Sequence, residues 1–174
     1  MADFQTAVAI TLQNEGGFYH NPVTGEVVNH GITLALVTSN GYKPDADVAF
    51  IQNLSVAEAT QIYQTYFWDL YHIGSINDQS LANKTFDLTV NMGPGNKNKQ
   101  GALTLLQSAV NSCGGKCDVD GILGPISIGQ INALDPATLL TTYRQLAAQH
   151  YTAIAQGNQE LAGDLTGWLA RLNA

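Results

Sequence analysis

One carboxylate in the sequence has the surroundings of a proton donor. Glu15 closes an apolar segment, Gly16-Gly17 follows it at once, and the run Gly31-Ile32-Thr33 begins sixteen residues after the acid. Glycines end helices, so Glu15 is predicted to stand at a helix end above a short β-prone stretch. A protonated carboxyl group there can protonate the leaving oxygen of a glycosidic bond, and apolar burial raises the pKa of a glutamate in that direction. We therefore predict Glu15 to be a general acid. We expect the Glu15 side chain to lie against an apolar wall formed by Phe4, Val8, Ile10, Leu12 and Phe18.

The segment predicted to lie across from this acid carries the other candidate groups. Glu26 is the next carboxylate along the chain. It is predicted to activate water or stabilise an oxocarbenium ion, and the alternative is a solvated turn residue. A carboxyl separation of ~5 Å favours retention of configuration, and ~6.5–9.5 Å favours inversion. The neutral residues predicted to hold a water or a sugar hydroxyl are Thr24, Asn29, His30 and Thr33. His30 is either a base, since imidazole has a pKa of about 6.5, or a structural residue.

Several motifs occur in an order that resembles one enzyme family. They are Leu12-Gln13-Asn14-Glu15-Gly16-Gly17-Phe18, Asn29-His30-Gly31-Ile32-Thr33, Tyr66-Phe67-Trp68, Phe86-Asp87 and Asn91-Met92-Gly93-Pro94-Gly95. Together they resemble glycoside hydrolase family 108, the peptidoglycan-cleaving N-acetylmuramidases of phage endolysins and exported bacterial hydrolases. Later motifs are similar to the peptidoglycan-binding half that accompanies this catalytic segment: Leu105-Leu106-Gln107, Val119-Asp120-Gly121-Ile122-Leu123-Gly124-Pro125 and Ile131-Asn132-Ala133-Leu134.

The resemblance implies further substrate contacts. Asp87 and Asn91 lie four residues apart on one predicted helix face, in the part of the helix that lines the cleft of lysozyme-like folds. They are expected to bind an N-acetyl group or to position Glu15, and the alternative is a buried polar pair. Trp68 is predicted to stack on a sugar, although such an aromatic group at helical spacing also suits a core. That group comprises Tyr63, Tyr66, Trp68 and Tyr71.

The predicted hairpin departs from the family pattern. Between its Glu and its Gly-Ile-Thr the family usually carries Asp-Pro, then Asp-Pro-Gly-Gly, then a Thr. This chain reads Asn21-Pro22-Val23-Thr24-Gly25-Glu26-Val27-Val28-Asn29, one residue shorter and without an Asp. The identity of a second catalytic group is therefore left open by the sequence.

Composition narrows the class of partner. Charged residues make up 12% of the 174, and the net charge is −7, which excludes a phosphate-binding surface of clustered basic residues. A surface rich in uncharged polar groups suits sugars. Metal and cofactor sites are not expected, because the loop Asp118-Val119-Asp120-Gly121 lacks the remaining ligands of a calcium loop. A monomer is expected, with an immunity or inhibitor protein as a possible partner.

Cys113 and Cys117 enclose a tight glycine-containing loop. We predict a disulfide formed in an oxidising compartment, with free thiols as the alternative. Zinc is disfavoured because a structural site needs four ligands. No apolar run reaches the ~18 residues of a membrane span, and no Sec signal is recognised. Delivery to the periplasm or cell wall by phage lysis or by a secretion system is therefore expected.

Helical spacing of apolar residues dominates the chain. The predicted fold is mainly α (α+β lysozyme-like), a helical bundle with a small β-hairpin lobe bordering the cleft. Helices are predicted over 4–14, 44–53, 55–67, 80–92, 98–112, 136–155 and 159–172, with short ones after Thr33 and from Pro125, and a hairpin or three-stranded flap over 18–33. Residues 1–95 are predicted to be the catalytic segment, and 96–174 a helical peptidoglycan-binding half packed with it as one unit.

The function these patterns predict is hydrolysis of the β-1,4 bond between N-acetylmuramic acid and N-acetylglucosamine, with lysis of the bacterial cell wall. Two alternatives stay open. One is a lytic transglycosylase, in which a hydroxyl of the muramic acid replaces water and a single acid suffices. The other is a peptidoglycan-binding module without catalysis.

Overall fold

A computed structural model describes residues 1–173, apart from the side chains of Gln159 and Glu160. Its β-strands are β1 (Tyr19–His20), β2 (Val27–Asn29) and β3 (Ile32–Thr33). Its α-helices are α1 (Phe4–Asn14), α2 (Leu34–Ser39), α3 (Val48–Gln52), α4 (Val56–Tyr63), α5 (Gln79–Met92), α6 (Ala102–Ser112), α7 (Pro125–Ala133), α8 (Pro136–Gly157) and α9 (Leu165–Asn173). A π-helical turn spans Gln64–Asp69, and 3₁₀ turns span Ile73–Ser75 and Gln159–Asp164. The predicted mainly α fold with a small β lobe is confirmed.

The β lobe is an antiparallel sheet with the strand order β1-β2-β3. Val28 in the middle strand pairs with Tyr19 on one side and with Thr33 on the other. The predicted three-stranded flap is therefore present. The turn from β2 to β3 is made by His30 and Gly31, whose φ angles are 50° and 74°.

Side-chain caps define the helix starts. Asp3 accepts a hydrogen bond of 2.7 Å from the backbone N–H of Thr6 and so begins α1 as predicted. Ser55 and Glu58 form the predicted capping box of α4. The cap of α5 is Asp78 rather than Ser80, because the Asp78 carboxylate accepts the N–H of Leu81 at 2.8 Å.

Helix α5 lies at the centre of the molecule and packs against α1, α6 and α8. The ring of Phe86 in α5 contacts Phe4 of α1 and Trp68 of the π-helical turn, with ring centroids 5.9 and 5.7 Å apart. This apolar contact fixes the direction of α1, and with it the place where α1 ends.

Three predicted helices differ from the observed elements. The helix predicted over 44–53 is only α3, because Asp47 caps it. The helix predicted from residue 98 begins at Ala102, since Asn96 and Lys99 first exchange backbone hydrogen bonds of 2.8 and 3.1 Å in a tight turn. The amphipathic segment 159–172 is a 3₁₀ turn followed by α9 rather than one helix.

Candidate active site

Glu15 is the residue at which α1 ends. Its backbone N–H still donates to the carbonyl of Thr11 at 3.0 Å, whereas its own φ and ψ of −89° and 140° are extended. The chain therefore turns away at this residue and the side chain projects from the helix end. The predicted position of Glu15 on the secondary structure is correct.

The surroundings of the Glu15 carboxylate are not the expected apolar wall. Arg171 of α9 donates from Nη2 to Glu15 Oε1 at 2.6 Å, and 18% of the Glu15 side chain is exposed. Phe18, predicted to belong to the wall, is 41% exposed. The physical reason is that α9 packs beside the end of α1, a contact between residues 156 positions apart.

Asp87 connects this pair to the core. Its side chain is only 2% exposed, its Oδ1 accepts a hydrogen bond from Arg171 Nε at 3.0 Å, and Arg171 Nη2 forms an ion pair with the same oxygen at 2.9 Å. Asn14 Nδ2 donates to the same oxygen at 3.2 Å. A planar guanidinium donates along two directions at once, so Arg171 binds both carboxylates. Asp87 is therefore placed to orient Glu15 through Arg171.

Lys84 completes a group of four charges. Its Nζ lies 3.6 Å from Asp87 Oδ2 and donates to the backbone carbonyl of Arg171 at 2.5 Å. Burial lowers the pKa of Lys84, and the nearby Asp87 carboxylate acts in the opposite direction. Burial also acts to lower the pKa of Arg171, but the hydrogen bonds and charges of Asp87 and Glu15 outweigh it, so the Arg171 pKa is raised. Two cations thus face two carboxyl groups.

The turn between β2 and β3 closes the other side of Glu15. Tyr63 Oη donates to the His30 carbonyl at 2.9 Å. A Cβ on Gly31 would lie 2.7 Å from Glu15 Oε2 and would collide with the Tyr63 hydroxyl, so the motif requires glycine here. Burial, reinforced by the negative charge of Glu15, raises the pKa of Tyr63 and keeps its hydroxyl protonated. His30 is half-buried, and the contact that reaches this cluster comes from its backbone.

Two cavities flank the β lobe and α9. A groove of about 610 Å³ is lined by Thr24, Glu26 and Thr33, together with Val27, Leu34 and Ala35 among others. A second cavity of about 300 Å³ is lined by Asn14, Gly167, Ala170 and Arg171. The structure thus brings three predicted hairpin residues into one groove, whereas Glu15 belongs to the Arg171 cluster. Glu26 is exposed, in keeping with a group that meets solvent or substrate.

Three predicted substrate contacts have other partners. Asn29 is 5% exposed, and its amide donates to the carbonyls of Ile51 and Gln52 at 3.0 and 3.3 Å at the end of α3. Trp68 is 5% exposed within the aromatic core, so it offers no ring face to a sugar. These two expectations are corrected, because both side chains are directed inward. Asn91 is exposed, but its Oδ1 accepts from Tyr151 Oη at 2.6 Å.

Two of the predicted hairpin contacts also make local hydrogen bonds. Thr33 Oγ1 caps α2 by accepting the N–H of Leu36 at 3.1 Å. Thr24 Oγ1 accepts the N–H of Glu26 at 3.3 Å. Both residues still line the groove, so each is free to offer a hydroxyl hydrogen to a ligand.

Cys113 and Cys117 are free thiols in the structure, against the predicted bridge. Cys113 Sγ lies 3.4 Å from Thr142 Oγ1, and Cys117 Sγ lies 3.6 Å from the carbonyl of Gln107. Each sulfur is thus directed to a different element. Among the residues that the structure describes, no three His, Cys, Asp or Glu side chains are grouped as a metal site.

Comparison with known proteins decides the class of chemistry. Residues 8–93 match the glycosyl hydrolase 108 family. Over this segment the chain belongs to the family. It is therefore a glycoside hydrolase, and the matched segment runs from α1 to the end of α5. It contains Glu15, Tyr63 and Asp87 but not Arg171.

A solved structure shares the fold of this glycoside hydrolase. SagA from Brucella abortus superposes with a TM-score of 0.77 over 98% of this chain and 89% of that one, at 22% identity. No curated protein sequence matches. In the described part of the chain, no helix is long and apolar enough to cross a membrane.

Arg171 and Lys84 are the members of the cluster that sequence reasoning missed. The sequence contained a feature that could have identified each of them. Arg171 is one of only two arginines in the chain and lies on the amphipathic last segment. Lys84 precedes Asp87 by three residues on a helix that has no other charged residue. A charged pair at this spacing on a buried helix needs a further partner.

Proposed function

We propose that this glycoside hydrolase is a peptidoglycan hydrolase of the N-acetylmuramidase type. It cleaves the β-1,4 bond between N-acetylmuramic acid and N-acetylglucosamine and so lyses the bacterial cell wall. The observation that carries the proposal is the Glu15 carboxyl group, held by Arg171 on one oxygen while the other faces the β2–β3 turn. Family membership supports the reaction class, and the low content of charged residues supports a glycan substrate.

In this mechanism Glu15 is the general acid. Its proton passes to the glycosidic oxygen as the bond from that oxygen to the anomeric carbon breaks, and water adds to the anomeric carbon. Glu26 is the carboxylate that lines the groove of the β lobe, and we assign it the second role, that of orienting the water or stabilising the oxocarbenium ion. Thr24 and Thr33 contact the sugar or the water in the same groove.

Asp87 takes an indirect part in this proposal. It is buried and bound by Asn14, Lys84 and Arg171, so it orients the acid rather than touching the sugar. Such an arrangement leaves Glu15 as the one acid of its own cluster with access to solvent, which favours a lytic transglycosylase as the second candidate. A digest of purified peptidoglycan distinguishes the two by mass spectrometry, since the transglycosylase product is an anhydromuropeptide lacking one water.

The two halves of the chain have different roles in the proposal. Residues 1–95 supply Glu15 and Glu26, and 96–174 form the glycan-binding half. In that second half a groove of about 500 Å³ is lined by Asn111, Lys116 and Asp118 beside Ile126, which is 75% exposed. An exposed apolar side chain between polar groups suits a sugar ring. We place the site of action at the bacterial cell wall, with phage lysis or a secretion system as the route.

The decisive experiment replaces Glu15 with glutamine. The amide fills the same space but cannot donate an acidic proton, and loss of a positioned acid costs ~10²–10⁴-fold in rate. The measurement is clearing of purified peptidoglycan in a zymogram, with folding followed by circular dichroism. Asp45→Asn is the matched control, because it makes the same chemical change at a side chain that is 83% exposed. A Glu15→Gln variant that clears at the wild-type rate would show that Glu15 is not the acid.

A further inference from the structure

The last helix is fixed to the rest of the protein at the level of Arg171. Leu172 is 3% exposed, and the Trp168 ring stacks on Tyr151 with centroids 5.1 Å apart and planes 25° apart. The Arg171 carbonyl accepts a hydrogen bond from Lys84 Nζ at 2.5 Å. The backbone that carries the guanidinium is therefore held by apolar packing and by a buried cation at once.

The guanidinium itself is also held by Asp87. Nε donates a hydrogen bond to Asp87 Oδ1 at 3.0 Å, and Nη2, which donates to Glu15, lies 2.9 Å from the same Asp87 oxygen as an ion pair. Asp87 in turn cannot move easily, since it is 2% exposed and is held by Asn14 at 3.2 Å and Lys84 at 3.6 Å. Arg171 thus reaches Glu15 Oε1 from a site with a fixed position.

This geometry distinguishes the two oxygens of Glu15. Arginine has donors and no acceptor, so Oε1, which accepts from Arg171, cannot direct an acidic proton along that hydrogen bond. Oε2 lies against the Gly31 turn, 2.7 Å from where a Cβ would stand. We infer that Arg171 is a positioning residue for the general acid: it holds Oε1 so that the transferable proton is carried by Oε2.

The inference rests on the proposed role of Glu15 and adds a contribution of α9 to the active site. In the acid step the O–H bond at Oε2 breaks, a new O–H bond forms on the leaving sugar oxygen, and the electrons of the broken glycosidic bond remain on that oxygen. The ion pair between Glu15 and Arg171 is the ionised state of the acid, in which Lys84 and Arg171 balance Asp87 and Glu15 in charge; Glu15 takes up a proton before the step and returns to this state after it. Tyr63, whose pKa is raised by burial and by the charge of Glu15, stays neutral. The site is therefore incomplete in a fragment limited to residues 8–93.

The test is Arg171→Ala assayed with and without added guanidinium or methylguanidinium ion. On solubilised glycan strands, kcat is expected to fall about 10²-fold, the usual result of a displacement of ~1 Å in a catalytic group, while KM changes less. Millimolar guanidinium is expected to restore part of kcat, because it can occupy the vacated space between Glu15 and Asp87. Arg171→Lys is expected to retain less than full activity, since a point charge cannot bind both carboxylates in a planar fork.

Two control variants separate positioning from stability. Leu172→Ala loosens the docking of α9 but keeps the guanidinium, and Lys99→Met removes an exposed cation of the same half. Neither is expected to respond to guanidinium. A purely structural role would make the activity of Arg171→Ala follow its melting temperature, with no rescue.

The outcomes are distinct from those of the proposed function. Wild-type kcat in Arg171→Ala, a higher kcat, or a loss without rescue by guanidinium overturns the positioning role while Glu15→Gln stays inactive. An active Glu15→Gln variant overturns the proposed acid and the positioning inference together.

Discussion

Replacing Gly31 with alanine tests how closely the β2–β3 turn is fitted to Glu15, the proposed catalytic acid. Gly31 has φ +74°, and a Cβ there would lie 2.7 Å from Glu15 Oε2 and 2.8 Å from Glu15 Cδ, besides colliding with the Tyr63 hydroxyl. Tyr63 is fully buried, and Glu15 is held by Arg171. Neither the Tyr63 nor the Glu15 side chain can therefore move away from the added Cβ without losing stabilising contacts.

Two free-energy terms add to the cost of this substitution. A left-handed backbone costs a residue with a Cβ about 1–2 kcal/mol. Overpacking costs a further ~1–3 kcal/mol, so the free energy of unfolding is expected to fall by about 2–5 kcal/mol. Gly41 provides the matched control, since its φ is also +74° and no atom lies within 4 Å of its Cβ position. Gly41→Ala should lower the free energy of unfolding only by the cost of the left-handed backbone. Urea unfolding of the Gly31→Ala and Gly41→Ala variants measures how much more stability the Gly31 variant loses.

The same substitution should reduce activity. To restore an ordinary contact of 3.4 Å from 2.7 Å, the Glu15 carboxyl must shift by about 0.7 Å. A misplacement of ~1 Å costs about 10²-fold in rate, so a loss of roughly 10–10²-fold in peptidoglycan clearing is expected for Gly31→Ala and none for Gly41→Ala. Tyr63→Phe removes one of the colliding atoms and should lessen the stability cost of Gly31→Ala in the double variant. Equal losses of stability in the Gly31 and Gly41 variants would refute the claim of a close fit.

Two further predictions concern the hairpin and the thiols. Glu26→Gln is expected to lower turnover more than Thr24→Ala and less than Glu15→Gln, measured on purified cell wall; the reverse ranking of the first two would mean that neutral hairpin groups place the water. Thiol titration of unfolded, unreduced protein should detect two thiols, those of Cys113 and Cys117. Detection of no thiol would show that the two residues form a disulfide. Burial raises the pKa of Cys117; since the thiolate is the nucleophile, its alkylation in the folded protein should be slower at pH 8 than that of a free thiol and should accelerate as the pH rises.

Local sequence was sufficient for the elements that carry Glu15. Asp3 begins α1 and glycines follow its end, so the acid could be placed at a helix terminus from neighbours within a few residues. The glycine of the β2–β3 turn was identified by the same motif. These features depend on backbone geometry and short-range hydrogen bonds, which the sequence encodes directly.

Whether a side chain points into the protein or toward solvent was harder to predict from the sequence. Asn29 and Trp68 have the residue types of sugar contacts, yet one binds the end of α3 and the other packs in the aromatic core. An amide and an indole ring satisfy a protein backbone or core as well as they satisfy a sugar. The choice depends on which elements pack above them.

The sequence by itself determined the position of Glu15 at a helix end, the mainly helical class and the low content of charged residues of this glycoside hydrolase. Only the tertiary structure decided what holds the Glu15 side chain. The contact between Arg171 and Glu15 joins residues 156 positions apart, and no local pattern specifies such a pair. It forms because α9 packs on α8, which in turn packs on α5. This packing brings two cations, Arg171 and Lys84, and two carboxylates, Asp87 and Glu15, into one partly buried site, where each charge requires an opposite partner.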